Sequence, residues 1–199
     1  MRQPVLPPAA ERLPAPASFP EGASVAREGA APGMAPIEEG HRMTLALALY
    51  QPDIAQNAGT LARTSACFGL SLHIIEPAGF PVGDAGFRRA GMDYLDRAAI
   101  TRHASFDAFE AWRAQERRRL VLCTTRGAVA YTALAYLPDD VLLLGRESAG
   151  VPEAVHTAAD ARIVIPLVPG ARSLNVALAG AMILGEALRQ TVGFVGISH

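Results

Sequence analysis

The chain has 199 residues, half of them hydrophobic and 19% charged, which suits one domain with a real core. Its formal net charge is −1, which excludes a nucleic-acid binder that works by bulk charge. All 18 cationic side chains are arginine, so a Schiff-base lysine, a pyridoxal-phosphate lysine and a P-loop lysine are excluded as well. Residues 1–42 carry eight of the 15 prolines, and Phe19 is their only aromatic residue. Such a stretch cannot bury enough apolar surface to offset its ordering entropy. It reads as a disordered Pro/Ala-rich tail ahead of one folded domain over 43–199. Its prolines break every apolar run, so no secretory signal forms, and its five glutamates argue against a mitochondrial leader. A buried strand is predicted over 45–50, ended by Gln51-Pro52-Asp53. A helix over 56–68 has Leu61, Ser65 and Phe68 at helical spacing and Gly69 as its stop. Strands follow over 72–75 and 99–101. Ser105 caps a helix that runs through Arg117 with Phe106, Phe109 and Trp112 on one face. Two more buried strands occupy 120–123 and 141–144, and Pro152 opens a short helix. The last strand is 162–165, and Ser173 caps a final helix that runs to Gln190.

These strands are apolar throughout and alternate with helices, the pattern of a parallel sheet covered on both faces: an α/β fold. The final helix is apolar nearly all round, which places it in the interior or at a subunit interface. Its most apolar run, 176–185, is closed by Asn175 and Glu186 and is shorter than the roughly 18 residues a membrane span needs. Cys67 and Cys123 lie far apart with no CxxC, which suits a reducing compartment such as the cytoplasm, and both read as small apolar fillers. The five histidines lack HxxxH or HxH spacing, so no metal site is expected.

Ligands of open α/β sheets bind beyond the carboxyl ends of the strands. Three glycine-bearing loops fall there: Asn57-Ala58-Gly59-Thr60-Leu61-Ala62-Arg63, Gly145-Arg146-Glu147-Ser148-Ala149-Gly150-Val151-Pro152, and Ile165-Pro166-Leu167 through Arg172-Ser173-Leu174-Asn175. None contains GxGxxG or a P-loop. Singly, each has a plain structural reading: Asn57 as a helix cap, Arg63 as a solvated helix charge, Gly145 and Gly150 as turn glycines. In this order and spacing they resemble the SPOUT superfamily of methyltransferases. Leu49-Tyr50-Gln51-Pro52-Asp53, His73-Ile74-Ile75-Glu76-Pro77, Arg88-Arg89-Ala90-Gly91-Met92-Asp93-Tyr94 and Thr124-Thr125-Arg126-Gly127 make the likeness greatest to the tRNA (cytidine(34)-2′-O)-methyltransferase family. The resemblance covers 43 to 191. Glu147-Ser148-Ala149-Gly150 departs from the Thr-Arg common there in relatives.

The resemblance implies a C-terminal trefoil knot, a homodimer, and methylation of a ribose 2′-hydroxyl from S-adenosylmethionine. The target it implies is the wobble position of tRNA, at cytidine or a modified uridine of tRNA-Leu. Another tRNA or ribosomal RNA nucleotide, or a catalytically silent RNA-binding relative, stays open as an alternative. It implies main-chain contacts to the cofactor at Cys123, Gly145, Ile165 and Ser173, with Asn57, Arg146, Arg172 and Asn175 toward the RNA. Arg63 is the implied catalytic residue, holding the target phosphate. A guanidinium has too high a pKa to be a literal base, so stabilisation of the developing oxyanion is the role expected of it. Affinity for RNA would come from local patches, with Arg88-Arg89 and Arg117-Arg118-Arg119 the clearest; the second reads equally well as a solvated helix end.

Overall fold

A computed structural model describes residues 45–83, 85–127 and 129–191, so the tail expected over 1–42 lies outside the described residues. The elements run β1 (Ala46–Tyr50), α1 (Ala55–Cys67), β2 (Ser71–Ile75), α2 (Ala85–Gly91), a 3-10 segment (Met92–Arg97) and β3 (Ala99–His103). They continue with α3 (Phe106–Gln115), β4 (Leu120–Cys123), β5 (Val129–Ala130), β6 (Val141–Leu144), α4 (Glu153–Ala158), β7 (Ala161–Val164) and α5 (Val176–Gln190). Every element expected from the sequence is present to within about two residues of its bounds, the usual uncertainty of helix ends. Ser105 caps α3 as expected, its hydroxyl accepting from the Ala108 N–H at 3.2 Å. The expected cap of α5 is corrected. Ser173 lies in the loop, and the Asn175 carboxamide oxygen accepts from Ala177 and Leu178 N–H at 2.8 and 3.3 Å.

All seven strands are parallel, in the order β3-β2-β1-β6-β4-β7-β5. The unbroken apolar run of β1 is two alternating sets. Leu45, Leu47 and Leu49 pack with Leu61 and Ala62 of α1 and Ile183, Leu184 and Leu188 of α5. Ala46, Ala48 and Tyr50 face the other layer, with Phe109 of α3 and Val155 of α4. Both faces are therefore sealed, as a run without polar alternation requires. Gly180 lets α5 sit close over the sheet: a Cβ there would fall 2.7 Å from a Leu144 methyl and 2.8 Å from one of Leu61.

Among the buried polar side chains the Ser65 hydroxyl stands without a hydrogen-bond partner, while others are tied into the fold. Asp140, fully buried, takes both arms of Arg119 at 2.7 Å and the Leu137 N–H at 2.9 Å, which fixes the entry to β6. Arg118 donates to the Asp139 carbonyl at 3.0 Å and lies over Trp112. Two of the three arginines at 117–119 are thus committed to structure, while Arg117 is exposed. Trp112, Phe106 and Phe109 pack in the interior as expected. Among the described residues no helix is long and apolar enough to cross a membrane, and no group of His, Cys, Asp or Glu is placed to hold a metal ion.

Candidate active site

Strand order reverses at β1, with β2 on one side and β6 on the other, and the loops after β1, β4, β6 and β7 gather at that end of the sheet. They enclose a cavity of about 780 Å³, within the range of small-molecule sites. Eight of the nine residues implied by the sequence line it. Asn57 comes from the start of α1, Cys123 from the end of β4, and Gly145 and Arg146 from the loop after β6. Ile165, Arg172, Ser173 and Asn175 come from the segment between β7 and α5.

The three loops are tied to one another by polar bonds. The Asn57 carboxamide donates to Glu147 Oε1 at 3.0 Å and accepts from the Asn175 amide at 2.9 Å, so one side chain joins all three. Asn57 is not the cap of α1, since Ile54 occupies that position without a side-chain bond. Glu147 also accepts from the Asp53 N–H at 2.9 Å. Asp53 in turn takes the Arg146 guanidinium at 2.7 and 3.2 Å, with the Ser148 hydroxyl and N–H. The hydrogen bonds from Arg146, then Ser148, hold the Asp53 carboxyl down at about 2, against partial desolvation, so it is ionised at neutral pH. Asp53 and Glu147 are the functional residues that sequence reasoning missed. Their signal is a pair of complementary charges, Asp53 and Arg146, next to the two loops' turns.

The loop after β6 is closed by Arg146 N–H to Gly150 carbonyl (3.0 Å) and the reverse bond (2.9 Å). Gly150 has the left-handed backbone, φ +67°, and Gly145 does not. Burial pushes the Cys123 thiol up to about 11, so it lines the cavity as a neutral, unreactive group. Cys67 is exposed at the end of α1, which corrects its reading as a filler. His156 is buried in the cavity wall, and desolvation lowers its pKa, which favours the neutral ring.

Arg63 does not line the cavity. It lies six residues beyond Asn57 on α1, about 9 Å along the axis and on another side of the helix. Its side chain is exposed, with Nη1 3.0 Å from Met92 Sδ and the guanidinium carbon 5.0 Å from the centre of the Tyr94 ring. Among the described residues it has no carboxylate partner.

A parallel sheet with its ligand cavity formed by these loops, and glycines and asparagines at the turns, is the arrangement of a SpoU-type methylase. The chain belongs to the SpoU rRNA methylase family, whose model matches residues 44–185. A tRNA (cytidine(34)-2′-O)-methyltransferase of Ancylobacter novellus is 82% identical over 152 residues, which are 76% of this chain and 96% of that one. The same-named protein of Escherichia coli K12 is 41% identical over 154 residues, 76% of this chain and 96% of the relative. A solved structure concerned with the 2-OH methylation of C/U34 on tRNA superposes with a TM-score of 0.71 at 38% identity, over 75% of this chain and 97% of the other.

Proposed function

We propose that this protein methylates the ribose 2′-hydroxyl of the wobble nucleotide of tRNA, with S-adenosylmethionine as donor, in the cytoplasm. The observation that carries this reading is the single asparagine, Asn57, that ties the three loops round one cavity in a chain so similar to enzymes of that name. The cavity fits the donor. Apolar side chains such as Ile54, Leu144 and Ile165 suit an adenine, and the loop main chains at Cys123, Gly145, Ile165 and Ser173 offer it hydrogen bonds. When bound, S-adenosylmethionine supplies an electrophilic methyl already activated on a sulfonium, so the protein's task is alignment. Arg172 is exposed at the rim, which suits it to RNA phosphate, while Arg146, held by Asp53, reaches RNA only with the donors that Asp53 leaves free. Asn175 orients Asn57 rather than reaching RNA directly. Arg63 binds the phosphate beside the target ribose and stabilises the 2′-oxygen as its proton leaves to phosphate or water.

The site is composite and the enzyme a homodimer in this reading. Arg63 lies apart from the cavity of its own chain, so a second copy is required to bring the two together. Leu178 and Met182, one turn apart on α5, are 60% and 40% exposed, and Leu174 before the cap continues the row. Such a face suits a partner subunit. The catalytic domain spans 43–199, and its C-terminal part forms a trefoil knot. The supporting geometry is the return of the chain from β7, beyond β4, to α5 packed over β6 and α1.

The test is transfer of labelled methyl into tRNA that lacks the modification, followed by nucleotide mapping. Label at the wobble 2′-oxygen is expected. Label in ribosomal RNA or at another position moves the target, and none in any RNA leaves a silent binding relative. Arg63→Ala should lower the single-turnover rate roughly a hundred- to a thousand-fold, the cost of one lost oxyanion donor. Arg63→Lys should recover little, since an ammonium has no fork of donors.

A further inference from the structure

Six arginines among the described residues are paired with carboxylates: Arg102 with Glu76, Arg113 with Glu110 and Asp160, Arg119 with Asp140, Arg126 with Glu153, Arg146 with Asp53 and Arg189 with Glu186. Arg63 is held differently. A thioether sulfur lies 3.0 Å from one nitrogen and the face of a phenol ring 5.0 Å from the guanidinium carbon. Both groups orient the cation, and neither carries a charge to cancel it. The seat is built with care. Met92 has φ +51°, a left-handed conformation that is strained for a non-glycine residue. Two close approaches lie next to it in the chain or the fold. A Cβ on Gly59 would fall 2.4 Å from the Phe87 carbonyl oxygen, and one on Gly91 would fall 2.4 Å from Leu95. Gly59 lets α2 press against α1 one turn before Arg63, and Gly91 makes room for Leu95 where the 3-10 segment begins.

We propose that Met92 and Tyr94 are positioning residues for Arg63: they fix its plane for an anionic RNA group while leaving its full charge available to that group. The proposal rests on the catalytic reading of Arg63. An exposed arginine otherwise samples many rotamers, and a carboxylate anchor would compete with the phosphate for the same donors. A sulfur and a π face avoid both costs.

The experiment is single-turnover methylation of unmodified tRNA at saturating S-adenosylmethionine and tRNA, with tRNA affinity measured separately. Tyr94→Leu should lower the rate constant about two- to fivefold, the scale of an exposed cation–π contact, with tRNA affinity within twofold of the parent. Tyr94→Phe keeps the ring face and should stay near the parent rate. Met92→Leu, which keeps the shape and loses the sulfur, should cost about threefold. In an Arg63→Ala background, Tyr94→Leu should add nothing to the loss. The seat is overturned if Tyr94→Phe falls as far as Tyr94→Leu, if Tyr94→Leu keeps the parent rate, or if the two losses multiply. A parent-like rate in Arg63→Ala overturns the catalytic reading and the seat with it. An inactive Arg63→Ala beside an unaffected Tyr94→Leu overturns the seat alone.

Discussion

Gly145 is expected from the sequence to let the backbone approach a ligand, yet the atoms it makes room for are the protein's own. A Cβ at this position would lie 2.9 Å from the Gly150 carbonyl carbon and 3.0 Å from its Cα. The glycine therefore shapes the loop that faces the cavity. Gly145→Val should force that loop open, and calorimetry should show S-adenosylmethionine affinity reduced at least about tenfold in a protein that still folds. Unchanged affinity would place the cofactor elsewhere. Asp53 supports the same loop from the other side through Arg146 and Ser148. At this scale the candidate site was legible as a set of residue types, because loop chemistry needs Gly, Asn and Arg at turns. Their bonding was not legible. Nothing in the spacing says that Asn57 addresses Glu147, 90 positions away, or that Asn175 is spent on Asn57 and a helix cap.

Among the elements, the junction of β2, β3 and α3 holds a chemical oddity. His73 Nδ1 and His103 Nε2 are 2.9 Å apart on paired strands, and the His73 ring stacks 4.0 Å from Trp112. Burial, then the neighbouring His103 and Arg118, pushes His73 down to about 3 from its ordinary 6.5, and burial lowers His103 too. Both rings are thus neutral in the folded protein, while the unfolded chain takes up protons below about pH 6.5. Stability is therefore complete above that value and falls as pH drops toward the folded pKa. Melting curves should show a loss of about 2 kcal/mol from His73 by pH 5, with His103 shifting stability in the same direction. The His73→Leu, His103→Leu pair should flatten the profile, and an equal slope in that variant would assign the acid sensitivity to other groups. The elements themselves were mostly legible: runs such as Val141–Leu144 can only be buried strands once both faces are covered. The sequence reading has no element between Pro77 and Ala99, where the structure has α2 and the 3-10 segment. Seven residues with Gly86 and Gly91 among them show no helical period, and what holds α2 is its packing on α1 at Gly59.

For the molecule as a whole, the separation of Arg63 from the cavity makes a composite dimer testable by complementation. Mixed dimers of Arg63→Ala with Gly145→Val should each regain one working site, formed by the intact cavity of one chain and the intact arginine of the other. Two inactive parents that stay inactive after subunit exchange would return Arg63 to the cavity of its own chain. The fold class was legible because hydrophobic runs and helices alternate, but the order of strands was not. Loop lengths do not announce that β6 enters between β1 and β4. That insertion governs how the protein can assemble. β1, β2 and β3 form one half of the sheet and β4, β7 and β5 the other, and β6 is the keystone between them. Without residues 141–144 nothing pairs the two halves of the sheet, and the cavity lacks the loop that bonds to Asp53 and Asn57. Such pairing of distant segments is slow, because a long loop must close before any contact offsets its entropy. A growing chain therefore gains β1–β3 before its binding site, because the segment over 165–175 that completes the cavity follows β6 and β7, so the capacity to hold a methyl donor reports that the two halves of the sheet have joined.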